Sequence, residues 1–400
     1  MGRYMGALRS VEAYDLAALV LNEAVRRIGV DPEDVEEVIL GQSYQNGEYV
    51  NVARMALLKA GWPERIPGVT LDRRCCTGLD VVRFAAALVE SDRAEIVVAG
   101  GVESMSNAEF YLPGSVKWGV GGSKGMPRGH GDLAIWGLPL FDRIQRARVM
   151  SQPEERYGVL PSMMSWAETA AEEEGISRQA CDEWSVESHA KACAATEAGR
   201  FKDEIIPVSV PQRRGDPVIV DRDENPRPDT SMEMLERLKP VLGGVCTAGN
   251  SSTENDGAAA LVVTSAEKAA ELGLEPFAML KSCVVVGEDP TRTHKTVPVA
   301  VEKALAAANL RIEQMELIEI QEAFAAQVLA DLKDMGVGPE DYGRVNVNGS
   351  GISLGHPIAC TGARVLVTLL HEMRRRGARY ALECICGGGG LGIAAVLENR

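Results

Sequence analysis

The sequence predicts an α/β protein made of two similar halves, the first interrupted by a long loop-rich insertion. Three observations carry this. Strand-like and helix-like runs alternate over 11–101 and again from 276. The tripeptide Cys-Thr-Gly occurs at 76–78 and at 360–362, each time at the head of a helical pattern. Between the two alternating regions, 108–250 changes character and is rich in glycine, proline and polar residues.

The elements follow from periodicity and punctuation. "VEAYDLAALVLNEAVRRIG" (11–29) has apolar residues at helical spacing and a stop at Gly29. "VEEVIL" (35–40) is a buried-strand pattern, followed by a helix in "VARMALLKAG". Helix "LDVVRFAAALVESD" and strand "EIVVAGG" come next. The middle holds a Gly-rich loop, "GVGGSKGMPRGHG", a helical stretch over 165–200, and the proline-punctuated "PQRRGDPVIVDRDENPRPDT". From 276 the order is strand "AMLKSCVVVG", helix "VAVEKALAAANL", strand "LIEIQE" and helix "AFAAQVLADLKDMG". Such alternation predicts a mostly parallel sheet covered by helices. The predicted divisions are a first core half over 1–107 continued by 255–275, an insertion over 108–254, and a second core half over 276–400.

Aligning the chain on its two Cys-Thr-Gly tripeptides places Val81 on Val365, Val82 on Leu366, Ala85 on Leu369, Ala86 on Leu370 and Val89 on Met373. That set is one helical face used twice, and each copy runs into a charged turn, an apolar strand and paired glycines. Duplication explains this better than coincidence.

Composition excludes several function classes. The chain has 400 residues, 46% hydrophobic and 25% charged, with a formal net charge of −15. That charge argues against a nucleic-acid partner, which needs a basic face. No apolar run approaches the roughly 20 residues that span a bilayer, and no secretory signal core opens the chain. Nine scattered cysteines without an export signal point to reduced thiols and a cytoplasmic setting. Neither adjacent cysteines nor the Cys384/Cys386 pair has zinc-ligand spacing, so no metal is expected.

Three stretches bear chemistry. In "RRCCTGLD" (73–80), Cys75 stands just before a helix, where unpaired N–H groups and the dipole favour thiolate, and Arg73 and Arg74 add positive charge. From this stretch alone a nucleophile and a pair of buried, apolar-like thiols are equally open. In "VNVNGSGISLGHPIACTGAR" (345–364), His356 is pinned between Gly355 and Pro357 in a turn leading to the repeated helix, where an imidazole can poise a thiol. His130, His189, His294 and His371 lie in polar or helical contexts that suit structural or solvent-facing roles. "CICGGGGLGIAAVLE" (384–398) lacks the helix and later carboxylate of a dinucleotide site; its glycines suit bare N–H groups aimed at an oxyanion, with Cys386 at the mouth. Two thiols, one imidazole and Gly-rich backbone suggest thioester chemistry.

These residues resemble the thiolase family of coenzyme A-dependent acyltransferases. "CCTGLD", "AGGVESMS" (99–106), "TAGNSSTENDGAAA" (247–260), "GHP" (355–357) and the final C-x-G-G-G-x-G (386–392) match its motifs in order, and "EGISRQACDEWSVESHAKACAATEAGRFKDEIIPV" is similar to its loop domain. The resemblance covers nearly the whole chain. It implies duplicated βαβαβαββ halves in a five-layer α-β-α-β-α core; the family's central first strand precedes the part that "GRYMGALRS" resembles, and since the sequence starts at that part, either it begins late or the strand is missing. It implies that Cys75 carries the acyl group, that His356 activates it, and that Cys386 moves the α-proton or protonates the leaving thiolate. The N–H groups of Cys75 and Gly388 would form one oxyanion hole, His356 and a water the other. Gln321, in "QEAF", takes the place of the asparagine that holds this water. Ser252, Ala248, Phe324 and Met163 match positions lining the pantetheine, and Arg213–Arg214 matches a region at the nucleotide end; Met163–Met164–Ser165 replaces a Met-Gly element. Cys76 is read as packing.

The resulting expectation is a thiolase that makes or cleaves a 3-oxoacyl-CoA, with coenzyme A as co-substrate, no tightly bound cofactor, and a homodimeric or homotetrameric assembly. The competing readings are a condensing synthase acting on carrier-protein thioesters, which lacks a counterpart of Cys386, and a catalytically silent binding or scaffold subunit.

Overall fold

The computed structural model describes residues 1–114, 139–160 and 162–399. The Gly-rich stretch 119–131 and His130 lie outside the described residues.

Two sheets carry the molecule. The first has the order Gly2–Arg3, Asn255–Thr264, Ile96–Ser104, Glu37–Gly41, Gly68–Leu71; the second runs Met279–Gly287, Leu391–Glu398, Tyr380–Gly387, Leu317–Ile320. The topology is the same in both. In each half the last strand lies antiparallel between the first strand and the fourth, and the fourth runs parallel to the second. A single parallel bridge, Ile318 to Val345, marks in the second half the place that Gly68–Leu71 fills in the first.

Two expectations need correction. The sheets are mixed rather than mostly parallel, because each half ends on a strand that reverses against its predecessor; Leu391–Glu398 does so through the turn at Gly388–Gly390. The first-strand position is the sheet edge rather than its centre: Gly2–Arg3 pairs with Asp256 and Asn255, where the second half places the nine residues Met279–Gly287. The helical stretch 165–200 is also two helices, Met164–Glu174 and Arg178–Glu197, separated at Gly175, whose φ of 67° ends the first.

Alternation along the strands sorts the core into layers. Ile39, Val97 and Ala99 of the first sheet share a central core with Leu317, Ala381, Ile385 and Ile393 of the second, and helices Thr77–Glu90 and Thr361–Arg376 lie between them. The outer face of the first sheet is covered by Ala13–Ile28 and Val52–Lys59, through Leu16, Leu21, Val25 and Leu57. Thr296–Ala308 and Ala325–Asp334 cover the outer face of the second, reinforced by Met164–Glu174 through Trp166. The result is a five-layer α-β-α-β-α stack.

The repeated tripeptides have a physical reason in this stack. The two central helices cross at their N-terminal turns, and the glycine of each Cys-Thr-Gly is where they touch. A Cβ on Gly78 would lie 2.6 Å from the Ala363 amide nitrogen, and one on Gly362 would lie 2.3 Å from the Leu79 nitrogen. Neither backbone can yield without moving a helix. Of the aligned face, Val81, Val82, Ala85 and Val89 and their counterparts Val365, Leu366, Leu369 and Met373 are all buried.

A Gly-to-Ala change inside a helix ordinarily stabilises by about 1 kcal/mol. At Gly362 the overpacking penalty of about 1–3 kcal/mol reverses the sign. Gly362→Ala is therefore expected to lower the chemical-denaturation midpoint, and a raised midpoint would show that the helices do not cross here.

Candidate active site

Cys75 sits in a tight turn between Gly68–Leu71 and helix Thr77–Glu90. The Thr77 hydroxyl closes that turn, accepting from the Arg73 amide and donating to the Arg74 carbonyl, both at 2.6 Å. Arg74 is held at φ 53°, a left-handed conformation that non-glycine residues adopt mainly where their surroundings impose it. Cys75 is half-buried, and the amides of Gly388 and of Cys75 itself donate toward its sulfur. Cys76 is fully buried, with its thiol toward the Ile385 carbonyl at 3.6 Å, as expected of packing.

His356 reaches Cys75 from the other half. Its Nε2 lies 3.1 Å from Cys75 Sγ and its Nδ1 lies 2.7 Å from Thr361 Oγ1. With Nδ1–H donating to Thr361, the Nε2 lone pair faces the thiol. The backbone of His356 is fixed from below, its amide donating to Asn255 Oδ1 at 3.0 Å. The two threonines of the repeat have thus diverged: Thr77 shapes the nucleophile turn, whereas Thr361 orients the imidazole.

A clamp holds the His356 loop to the first half. Buried Glu103, in the strand Ile96–Ser104, accepts three amides: Ser43 and Ala359 on Oε2 at 3.1 Å each, and Tyr44 on Oε1 at 3.0 Å. The Ala359 carbonyl in turn lies against three glycines, at 3.2, 2.8 and 2.0 Å from the positions a Cβ would take on Gly41, Gly78 and Gly101. Burial pushes the Glu103 carboxyl up to about 7, while the Tyr44, Ala359 and Ser43 amides hold it down. Sequence reasoning missed Glu103. Its signal was a lone carboxylate inside an apolar strand, which must be paired if buried.

Burial works against charge on both members of the pair. Burial pushes the Cys75 thiol up to about 11 against the pull of the Gly388 amide and Arg74. Burial, then the charges of Arg364 and Arg148, push His356 down to about 3. Removal from water thus works against the thiolate that the helix dipole and the arginines favour, and the His356 imidazole at 3.1 Å is the group placed to take the proton.

Cys386 is buried near the end of the strand Tyr380–Gly387. Burial raises its thiol well above the ordinary value, and the charge of Cys75 adds to the shift, so the two sulfurs feel one another. Gly388 begins the following turn, and Met163 Cε lies 2.8 Å from where a Gly388 Cβ would be, which puts Met163 at the rim of the same space. Phe324 is buried edge-on against Trp166, and the Ser252 amide donates to the Ala323 carbonyl beside it. Gln321 is fully buried, with neither end of its amide hydrogen-bonded to a described residue, and it fits because Gly351 has no Cβ, which would lie 2.3 Å from Nε2. Its neighbour Glu322 is the better-anchored group, accepting from Trp184, Ser188, Asn346 and Ile352.

The structure thus gathers Cys75, His356, Cys386, Gly388 and Met163. Ala248 is exposed, and Arg213–Arg214 lie on the exposed turn between Val208–Val210 and Val218–Val220. No cluster of metal-binding side chains occurs among the described residues.

A thiol at about 11 is scarce as thiolate at neutral pH. Cys75 alkylation by iodoacetamide is expected to keep rising with pH beyond the ordinary thiol value of about 8.5. Mass-spectrometric mapping that showed a plateau already below neutrality would reveal a preformed thiolate–imidazolium pair instead.

The family profile for the thiolase N-terminal domain matches residues 1–267, and that for the thiolase C-terminal domain matches 274–399. An acetyl-CoA acetyltransferase of Chromobacterium violaceum is 42% identical over all of this chain and 97% of the relative. A beta-ketoadipyl-CoA thiolase of Pseudomonas aeruginosa is also 42% identical, over all of this chain and 96% of its own. Among solved structures, the acetyl-CoA acetyltransferase of Bacillus anthracis superposes with a TM-score of 0.89 at 39% identity, covering 99% of this chain and 95% of that one. Human mitochondrial 3-ketoacyl-CoA thiolase superposes with the same score at 32% identity, covering 100% and 96%. With both halves matched and the site's two thiols and imidazole assembled between them, this chain belongs to the thiolase family.

Proposed function

We propose that this protein is an acyltransferase that reversibly cleaves or forms 3-oxoacyl-CoA thioesters through an acyl-cysteine intermediate. The observation that carries the reading is the 3.1 Å approach of His356 Nε2 to Cys75 Sγ beneath the Gly388 amide.

In the cleavage direction His356 takes the Cys75 proton as the sulfur attacks the 3-oxo carbon, so charge appears only as the bond forms. The Cys75 and Gly388 amides receive one developing oxyanion, and His356 with a water held near Gln321 receives the enolate oxygen. Breaking the C2–C3 bond leaves the acyl group on Cys75, and Cys386 gives its proton to C2 of the departing acetyl-CoA. Coenzyme A then gives its thiol proton to the Cys386 thiolate and takes the acyl group, and the Cys75 sulfur it displaces regains its proton from His356. Condensation runs the same steps backwards. Coenzyme A serves as co-substrate, contacted by Ser252, Ala248, Phe324 and Met163 along the pantetheine and by Arg213–Arg214 at the nucleotide end.

Homo-oligomeric assembly is part of this reading. Strand Gly68–Leu71 leaves an open sheet edge flanked by Phe84 and Leu88, an apolar strip suited to a second copy. We also place the protein in the cytoplasm, in keeping with its nine cysteines; no helix among the described residues is long and apolar enough to cross a membrane.

Incubation with acetoacetyl-CoA and free coenzyme A is expected to consume the magnesium-enolate absorbance. An inert protein would favour the silent-subunit reading. Cys386→Ala should still acylate Cys75 yet lose carbon–carbon cleavage, and wild-type cleavage in that variant would remove Cys386 from its role.

Gln321 carries the amide of the family's asparagine on a stem one methylene longer. A donor displaced by about 1 Å costs on the order of 100-fold in rate. Gln321→Asn is therefore expected to raise turnover of acetoacetyl-CoA relative to longer 3-oxoacyl-CoAs. An equal loss on all substrates would show that the pocket is built around glutamine.

A further inference from the structure

The turn Gly388–Gly390 brings an amide to Cys75, yet it is made of three glycines, with φ 88° at Gly389 and 74° at Gly390. Bare glycine backbone has little stiffness of its own, so its aim is set by what it rests on. Gly388 meets Met163, and a Cβ on Gly389 would lie 3.1 Å from the Ser151 carbonyl oxygen. The closest backing comes from the segment 288–296. The Glu288 amide donates to the Gly390 carbonyl at 2.8 Å, and the Thr296 hydroxyl lies 2.9 Å from the Leu391 carbonyl. A Cβ on Gly390 would lie 2.2 Å from the Glu288 carbonyl oxygen and 2.9 Å from the Pro290 nitrogen. On this side the turn can swing only if the segment yields.

That segment is itself irregular. Its short helix Pro290–Lys295 is broken at Arg292, whose φ of −124° and ψ of 42° are not helical. The residue at the break and one just beyond it reach the same carboxylate oxygen. Arg292 Nη2 lies 2.7 Å and His294 Nε2 lies 3.1 Å from Glu173 Oε2. The Arg292 pair is exposed and by itself holds little. The His294 side chain is 1% exposed, and its Nδ1 is buried without a hydrogen-bond partner among the described residues. The ring therefore carries its proton on Nε2 and donates it to Glu173. Lys295 adds partly exposed pairs to Glu174 and Asp334.

Glu173 lies in the last turn of helix Met164–Glu174, and the residue that precedes this helix is Met163. One helix thus meets the glycine turn directly at its start and backs it through Glu173 at its end. We propose that Glu173 is a positioning residue for the Gly388 oxyanion donor, acting through His294 and Arg292 on the segment that backs the glycine turn. The inference rests on the thiolase chemistry above, in which the Gly388 amide receives charge as Cys75 is acylated.

The test is single-turnover acylation of Cys75 by acetyl-CoA in Glu173→Ala and Glu173→Gln, with steady-state cleavage of acetoacetyl-CoA beside it. Losing an oxyanion donor outright costs roughly 100- to 1000-fold. A donor that is only loosened should cost part of that, about 10-fold in Glu173→Ala, in kcat and with KM unchanged. Glu173→Gln still accepts from His294 and should recover most of the rate. Alkylation of Cys75 by iodoacetamide at alkaline pH needs no oxyanion donor and should stay at the wild-type rate. Independently of turnover, hydrogen exchange in the peptide spanning 387–391 should quicken in Glu173→Ala, while helix Thr361–Arg376 exchanges as before. Acylation at the wild-type rate in Glu173→Ala, acylation and alkylation falling together, or unchanged exchange at 387–391 would each overturn the role. A wild type that acetyl-CoA does not acylate refutes the thiolase reading, and the exchange at 387–391 then still decides whether Glu173 holds the turn.

Discussion

The site depends on how one short loop of the second half is seated in the first. Residues 355–360 leave their own half and dock on the strand Ile96–Ser104, with the Ala359 amide on Glu103 and the Ala359 carbonyl against Gly41, Gly78 and Gly101. Any side chain at those three glycines would push the loop away, and any apolar residue at 103 would leave three buried amides without an acceptor. Because His356 is three residues from Ala359, the clamp sets the 3.1 Å approach to Cys75. The Asn255 contact to the His356 amide fixes the loop at its other end.

Duplication explains why the chemistry lies at this junction. Two copies of one α/β unit, packed back to back, bring the N-terminal turns of their central helices together at Gly78 and Gly362. Each turn then carries one reactive group, the thiol on one and the imidazole near the other, and each repeated threonine serves its own group. Burial between two sheets works against a charge on either group. The Gly388 and Cys75 amides point toward the Cys75 sulfur, and in the proposed mechanism charge separates only when a thioester occupies the space beside them.

Much of this was legible in the sequence, for reasons that are local. Helices such as Ala13–Ile28, ended at Gly29 with φ 72°, declare themselves by periodicity and a glycine stop. The repeated Cys-Thr-Gly exposed the duplication, and the ordered motifs singled out Cys75, His356 and Cys386. What was hidden is long-range. Strand direction does not show in apolar alternation, so the mixed sheets read as parallel. Glu103 joins amides 60 and 256 residues away, and nothing near it in sequence reveals them. Burial, which works against a charged thiol, is set by distant parts of the chain, while the local signals of helix terminus and arginines pointed to thiolate.

The central claim is that the Glu103 clamp, acting through the loop, positions His356 on Cys75. The most direct measurement is the single-turnover rate of Cys75 acylation by acetyl-CoA in Glu103→Gln, set beside alkylation of the same thiol by iodoacetamide at alkaline pH. A misplacement of about 1 Å costs on the order of 100-fold, so acylation should fall by roughly that factor while alkaline alkylation, which needs no imidazole, stays near the wild-type rate. Acylation at the wild-type rate would contradict the account, because His356 would then hold its place without the clamp.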